Sequence, residues 1–98
     1  MIRTNTNTGA FVARFNHESP NEQHRGKSTF ELEQEFGEGN ALQLSKVEVN
    51  VHEGDQFCRR TGRRIAFRHA MRTLRHNKVL GRPERKAIGD AIRQKVKL

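Results

Sequence analysis

The chain has 98 residues, of which 33% are apolar, which is enough for one small domain over residues 1–98 and too little for a second one. No stretch reaches the ~18 consecutive apolar residues that cross a bilayer, and a single cysteine excludes a disulfide framework, so we expect a cytoplasmic protein without a membrane partner. The net charge of +8 is unevenly distributed. Residues 1–55 have five basic and nine acidic residues, a charge of −4, whereas residues 56–98 have fourteen basic and two acidic residues, a charge of +12. The strongly basic second part predicts an anionic partner.

The first third of the chain predicts two strands with a long connection between them. Residues 9–15 alternate apolar and polar side chains, which is the period of a half-buried strand. Residues 16–28 are polar, contain Pro20 and Gly26 and show no period, so we expect a long mobile loop there. Residues 29–36 alternate again, with apolar side chains on one face and glutamates on the other.

A third predicted strand, residues 41–51, follows a turn that contains glycine and asparagine. The leucines of this strand occupy even positions and its valines occupy odd ones. Because a slip of one residue moves every side chain to the other face of a sheet, this change of parity predicts a bulge near Ser45 and Lys46. We therefore expect a twisted sheet of three antiparallel strands.

Two helices are predicted after the sheet. The first covers residues 56–76, with Asp55 as its N-cap, and gathers its apolar residues on one side. The second covers residues 82–97 and has Pro83 in its first turn, where a proline costs no hydrogen bond. The predicted fold class is α+β, with both helices on one face of the three-stranded sheet.

Four arginines form a row on the first predicted helix. Their spacings of four, four and three residues place them within about 80° of one another on a helix, and no acidic residue is interleaved. Guanidinium groups bind phosphate through two hydrogen bonds and stay charged when partly desolvated, so the row predicts a phosphate-bearing ligand. The alternative is a solvated basic face that only aids solubility. The members of this arginine row are Arg64, Arg68, Arg72 and Arg75.

Three further arginines stand at the start of this helix. Arg59, Arg60 and Arg63 surround Gly62, and a glycine there would let an anion approach the backbone amides of a helix start. Tight packing of Gly62 against the sheet explains the glycine equally well. We predict that these three arginines bind anions together with the arginine row.

The sequence predicts neither a metal site nor a catalytic site. The five histidines and Cys58 lack the CxxC and HxxxH spacings of metal sites, and there is no paired-carboxylate, nucleophile-elbow or cofactor motif. We expect Cys58 to be a buried, inert thiol, although its arginine neighbours would lower the pKa of an exposed thiol. The chain is therefore predicted not to be an enzyme and to need no cofactor.

The second half of the chain, residues 47–98, resembles small accessory proteins encoded by bacteriophages and prophages. These proteins have a His-x-x-Asp-x-Phe corner after a strand and a Gly-Arg pair that opens a helix rich in alanine, leucine and arginine. The matching positions here are His52, Asp55 and Phe57 for the corner, and Gly62 and Arg63 for the pair. The resemblance implies a viral accessory role in the host cytoplasm, exerted by binding. From the residues themselves we expect His52, Asp55, Phe57 and Gly62 to have a structural role at the strand-to-helix corner.

Two hypotheses of function follow. The first is a non-enzymatic phage protein that counteracts host defence or host processes by holding nucleic acid, or a signalling nucleotide of host defence, against its basic helical face. The second is an inhibitor that docks by the same arginines on an acidic surface of a host protein. Self-association into a homo-oligomer stays open, because a thin core gains stability from a partner subunit.

Overall fold

The computed structural model describes residues 1–23, 25–37, 39–51 and 58–98. Within these ranges the chain forms four strands followed by two helices, so the α+β class is confirmed. The sheet is antiparallel, and its spatial order β1-β2-β3-β4 follows the chain. The elements are β1 (Ile2–Thr6), β2 (Gly9–Glu18), β3 (Lys27–Glu35), β4 (Ala41–Asn50), α1 (Arg59–His76) and α2 (Arg82–Lys95).

The prediction of three strands is wrong by one, because β1 was not expected. This strand pairs with β2 along its whole length, from Ile2 opposite Ala13 to Thr6 opposite Gly9. Ile2 and Thr4 are buried on the helix side of the sheet. Only one of the five residues of β1 is aliphatic, so the sequence shows almost no apolar alternation there. The segment is a strand because it pairs with β2, which the sequence pattern does not reveal.

The connection between β2 and β3 is shorter than the predicted loop over residues 16–28, because β2 continues to Glu18 and β3 already begins at Lys27. The added strand residues are joined by polar pairs across the ladder. The Nδ1 atom of His17 lies 2.7 Å from the Oγ atom of Ser28, and the Nζ atom of Lys27 lies 3.7 Å from a carboxylate oxygen of Glu18. An apolar period cannot detect strands that are joined by such pairs.

The predicted bulge is confirmed within one residue. Leu32 of β3 lies opposite Ser45 of β4, whereas the next residue, Glu33, lies opposite Gln43. Leu44 is therefore the extra residue of β4, directly before Ser45. The bulge lets Leu44 and the valines that follow it pack against the same core despite their different parity.

Helix α1 begins at Arg59, three residues later than predicted, because Cys58 is in an extended conformation (φ −137°, ψ 113°) and serves as N-cap without a side-chain capping bond. The predicted cap, Asp55, lies outside the described residues. Helix α2 begins at Arg82 as predicted, with Pro83 in its first turn, and ends at Lys95, two residues early.

The core lies between the sheet and the two helices. Helix α1 packs on β3 and β4, and α2 packs on β1. Phe30 of β3 and Phe67 of α1 meet edge to face, with ring centroids 5.9 Å apart, a favoured geometry for aromatic pairs. The remaining fully buried large side chains of this core include Phe11, Leu32, Leu74, Ile88 and Ile92.

Candidate anion-binding surface

The arginine row lies on the solvent side of α1. All four of its side chains are exposed, whereas Ala66, Ala70 and Leu74 on the opposite side of the helix are buried in the core. Among the described residues, no carboxylate forms an ion pair with a member of the row. The row is therefore a line of four like charges without an internal counterion in this part of the chain.

The glutamates of the sheet are neutralised by cations of the sheet itself. On the face away from the helices, Arg14 pairs with Glu33 at 3.0 Å and Lys27 pairs with Glu48 at 3.1 Å. The same face carries the pairs of Arg3 with Glu35 at 2.7 Å and of Lys46 with Glu31 at 3.7 Å. Because these carboxylates already have partners on their own face, they leave the positive charge of the helices uncompensated.

A groove of about 600 Å³ separates α1 from α2. Phe67, Met71 and Gly89 line it together with cations of both helices. Of the described residues that line this interhelical groove, the one acid is Asp90, and it already pairs with Lys86 at 2.9 Å and lies 3.9 Å from Arg93. The cations along the groove are Arg68, Arg72, Arg82, Arg85, Lys86 and Arg93. The groove thus combines an apolar floor with a positively charged rim.

Gly89 contributes to this groove because it has no side chain. A Cβ atom at this position would lie 3.4 Å from the ring of Phe67 and 3.0 Å from the guanidinium of Arg93. The guanidinium carbon of Arg93 lies 5.5 Å from the centroid of the Phe67 ring, within cation–π range. This aromatic contact holds a charge of α2 above the floor of the groove.

The arginines of the first turn of α1 have a different environment. The Nε atom of Arg60 donates a hydrogen bond to the carbonyl oxygen of Leu98 at 3.4 Å, and that of Arg63 donates one to the carbonyl oxygen of Lys97 at 3.2 Å. Arg59 is exposed at the first position of the helix. The predicted set of anion-binding residues is therefore divided, since of these seven arginines Arg68 and Arg72 line the interhelical groove and the other five do not.

Gly62 has a packing role. It is buried, and a Cβ atom on it would lie 2.7 Å from the Cβ atom of Ser28, closer than real Cβ contacts come. Its own N–H donates to the carbonyl oxygen of Cys58 at 2.9 Å, so it is not available for an anion. The other residues of the predicted corner, His52, Asp55 and Phe57, lie outside the described residues.

His17 lies next to this first turn. Burial lowers the pKa of His17, and the positive charges of Arg63 and Arg59 lower that pKa further. A neutral imidazole therefore adds no charge to the cationic turn, and its Nδ1 atom remains bonded to Ser28.

The prediction of a buried thiol is wrong, because Cys58 is exposed. Its side chain lies at the helix start and not on the face that packs against the sheet. The hydroxyl of Thr61 donates a hydrogen bond to Sγ at 3.3 Å. This bond lowers the pKa of Cys58, with smaller contributions from the backbone N–H of Thr61 and from Arg60. In the described part of the chain, His, Cys, Asp and Glu side chains form no cluster that could hold a metal ion.

The contribution of α2 to the groove was not predicted. The signal is present in the sequence, because Arg82, Arg85, Gly89 and Arg93 follow spacings of three, four and four residues and thus share one face of α2. What the sequence does not show is that this face lies beside the arginine row. That proximity depends on how both helices pack on the sheet.

Comparison with protein-family models, with curated proteins and with solved structures finds no match to this chain. Neither helix in the described ranges is long and apolar enough to cross a membrane.

Proposed function

We propose that this protein is a non-enzymatic phage accessory protein that binds the phosphate backbone of a nucleic acid along the arginine row and the interhelical groove. The observation that carries the proposal is the separation of charge. The carboxylates of the sheet are paired on their own face, whereas the row has no ion-pair partner among the described residues. Like charges in a row repel one another, so an external polyanion would stabilise this arrangement.

The shape of the cationic surface favours a polynucleotide over a small signalling nucleotide. From Arg64 to Arg75 the row extends along about 16 Å of helix, at 1.5 Å per residue. The cations of α2 continue this surface on the other side of the groove. Charges spread over such a length match successive phosphates of a strand, whereas a small ligand needs groups that converge on one point.

The apolar floor of the groove suits a nucleic acid with unpaired bases. Phe67 is buried beneath Arg93, but Met71 is partly exposed and Arg93 is exposed between cations of both helices, and unpaired bases stack on guanidinium planes as well as on aromatic rings. The resemblance of residues 47–98 to phage proteins supports an accessory role in a bacterial host cell, where binding of this kind would interfere with host defence or another host process.

The proposal is tested by fluorescence anisotropy with labelled single-stranded oligonucleotides at several salt concentrations. We expect the double variant R68Q/R72Q to bind at least about ten-fold more weakly, because each lost charge-assisted hydrogen bond contributes about 1.5–3 kcal/mol. Loss of two phosphate contacts should also lower the slope of log affinity against log salt by about two. The matched control is K95Q/K97Q, which removes the same charge from two residues that do not line the groove, and it should weaken binding by less than about two-fold.

Equal loss in both variants would show that only net charge matters and would overturn the site. Tight binding of a mononucleotide with little salt dependence would favour a small signalling nucleotide. If oligonucleotides do not bind but a stoichiometric host protein is retained after nuclease treatment of a host lysate, the second hypothesis, docking on an acidic protein surface, replaces the proposal.

A further inference from the structure

The outer edge of β4 is open. This strand of ten residues is the last of the sheet, and no backbone hydrogen bond from another described segment reaches its outer side. Edge strands of this length present a row of N–H and C=O groups that can pair with another strand. The chemistry of β4 determines which strand fits.

The hydrogen-bonding direction of each β4 residue follows from the register. The N–H of Val51 donates to the carbonyl oxygen of Gly26 at 3.0 Å, and Val47 and Val49 share its parity opposite β3. Because these directions alternate along an antiparallel strand, Val47, Val49 and Val51 bond toward β3. The N–H and C=O groups of Lys46, Glu48 and Asn50 therefore point to the open edge.

We propose that a second copy of this chain pairs with this edge, β4 to β4 and antiparallel, on a two-fold axis at Val47. The free backbone groups of the two copies meet when even-numbered residues lie opposite even-numbered residues. In the register centred on Val47, Lys46 lies opposite Glu48 of the second copy, and the symmetry makes this pair twice. Centring on Lys46 or on Glu48 would instead place like charges opposite each other, which is unfavourable.

The helix layer is compatible with this pairing. Helix α1 packs over β3 and β4. Because paired strands lie about 4.8 Å apart, the α1 axes of the two copies would lie about 10 Å apart, which is close to the usual distance between packed helices. The flank of α1 away from the interhelical groove would face its counterpart. It carries Ile65, which is 45% exposed, together with His69, Thr73 and His76 around a surface depression that is bordered also by Arg68 and Arg72 of the row. The dimer would cover Ile65, one of the large apolar side chains that the single chain leaves exposed.

The test uses charge reversal and sedimentation velocity. The wild-type chain should form a dimer, and K46E and E48K should each dimerise about ten-fold more weakly, because each places like charges opposite one another at both pairs. The double variant K46E/E48K should regain the wild-type dimer. An equimolar mixture of K46E and E48K should form mainly the mixed dimer, in which both pairs are again of opposite charge.

The mixed dimer separates this proposal from a loss of stability. Each single variant also breaks an ion pair within the chain, with Glu31 or with Lys27, but a weaker fold would not favour one variant as partner of the other. A monomeric wild-type chain at all accessible concentrations, or a mixture that shows no preference for the mixed dimer, would overturn the proposal. Because the substituted residues lie on the sheet and not in the groove, the result is independent of nucleic-acid binding.

Discussion

At the scale of single residues, His17 of β2 lies within the electrostatic influence of the cationic start of α1. Its imidazole is partly buried, bonded to Ser28 and close to two arginines, and these surroundings lower the pKa of His17. The unfolded chain binds a proton at this residue near the ordinary histidine pKa of about 6.5. The folded chain binds it only at lower pH, so protonation favours the unfolded state.

Titration of His17 should therefore leave the free energy of unfolding unchanged above about pH 6.5. Below that pH the free energy of unfolding should fall, until the pH has passed the folded-state pKa of His17. Urea unfolding at a series of pH values, for the wild type and for His17→Asn, measures this. The variant should lose the part of the pH dependence that His17 contributes. Identical pH profiles would show that the imidazole titrates alike in both states.

At the scale of elements, the contact of Gly62 with Ser28 fixes how closely α1 approaches β3. Gly62→Ala adds a methyl group 2.7 Å from the Cβ atom of Ser28, and overpacking of this kind costs about 1–3 kcal/mol. The gain of about 1 kcal/mol in helix propensity offsets part of that cost, so we expect a net loss of up to about 2 kcal/mol in urea unfolding.

The double-mutant cycle with Ser28→Gly tests the cause of this loss. Removal of the Ser28 side chain makes room for the new methyl group, so G62A should destabilise the S28G background less than the wild type, or stabilise it. Equal effects in both backgrounds would mean that the closeness to Ser28 is not the reason for the glycine.

The same elements show how much of the fold the sequence could predict. The bulge at Leu44 was predictable because leucines and valines change parity around it, and Pro83 marked the start of α2. The strand β1 and the ends of β2 and β3 were not, because polar pairs such as His17 with Ser28 hold them and leave no apolar period. Likewise, the spacing of the arginine row predicted one side of the candidate site, whereas its proximity to Arg82 and Arg93 depends on helix packing.

At the scale of the whole molecule, ion-paired and uncompensated charges lie on opposite sides. We expect R68Q/R72Q to raise the free energy of unfolding at low ionic strength by a few tenths of a kcal/mol, because it relieves repulsion along the row. R3Q/R14Q removes the same charge from the paired face and should lower it. Urea unfolding of both variants at low and high salt measures the difference, which should shrink as salt screens the charges. Destabilisation by R68Q/R72Q at low salt would indicate that the row has an internal counterion.

The ion pairs on the outer face of the sheet also determine the surface charge of a nucleic acid that is covered by this protein. If the helices contact a polyanion, the outer face of the sheet points to solvent. On that face Arg3 is paired with Glu35 and Arg14 with Glu33. A strand coated in this way would present a nearly neutral exterior. Proteins that find nucleic acids by their negative field would then meet a surface that no longer attracts them.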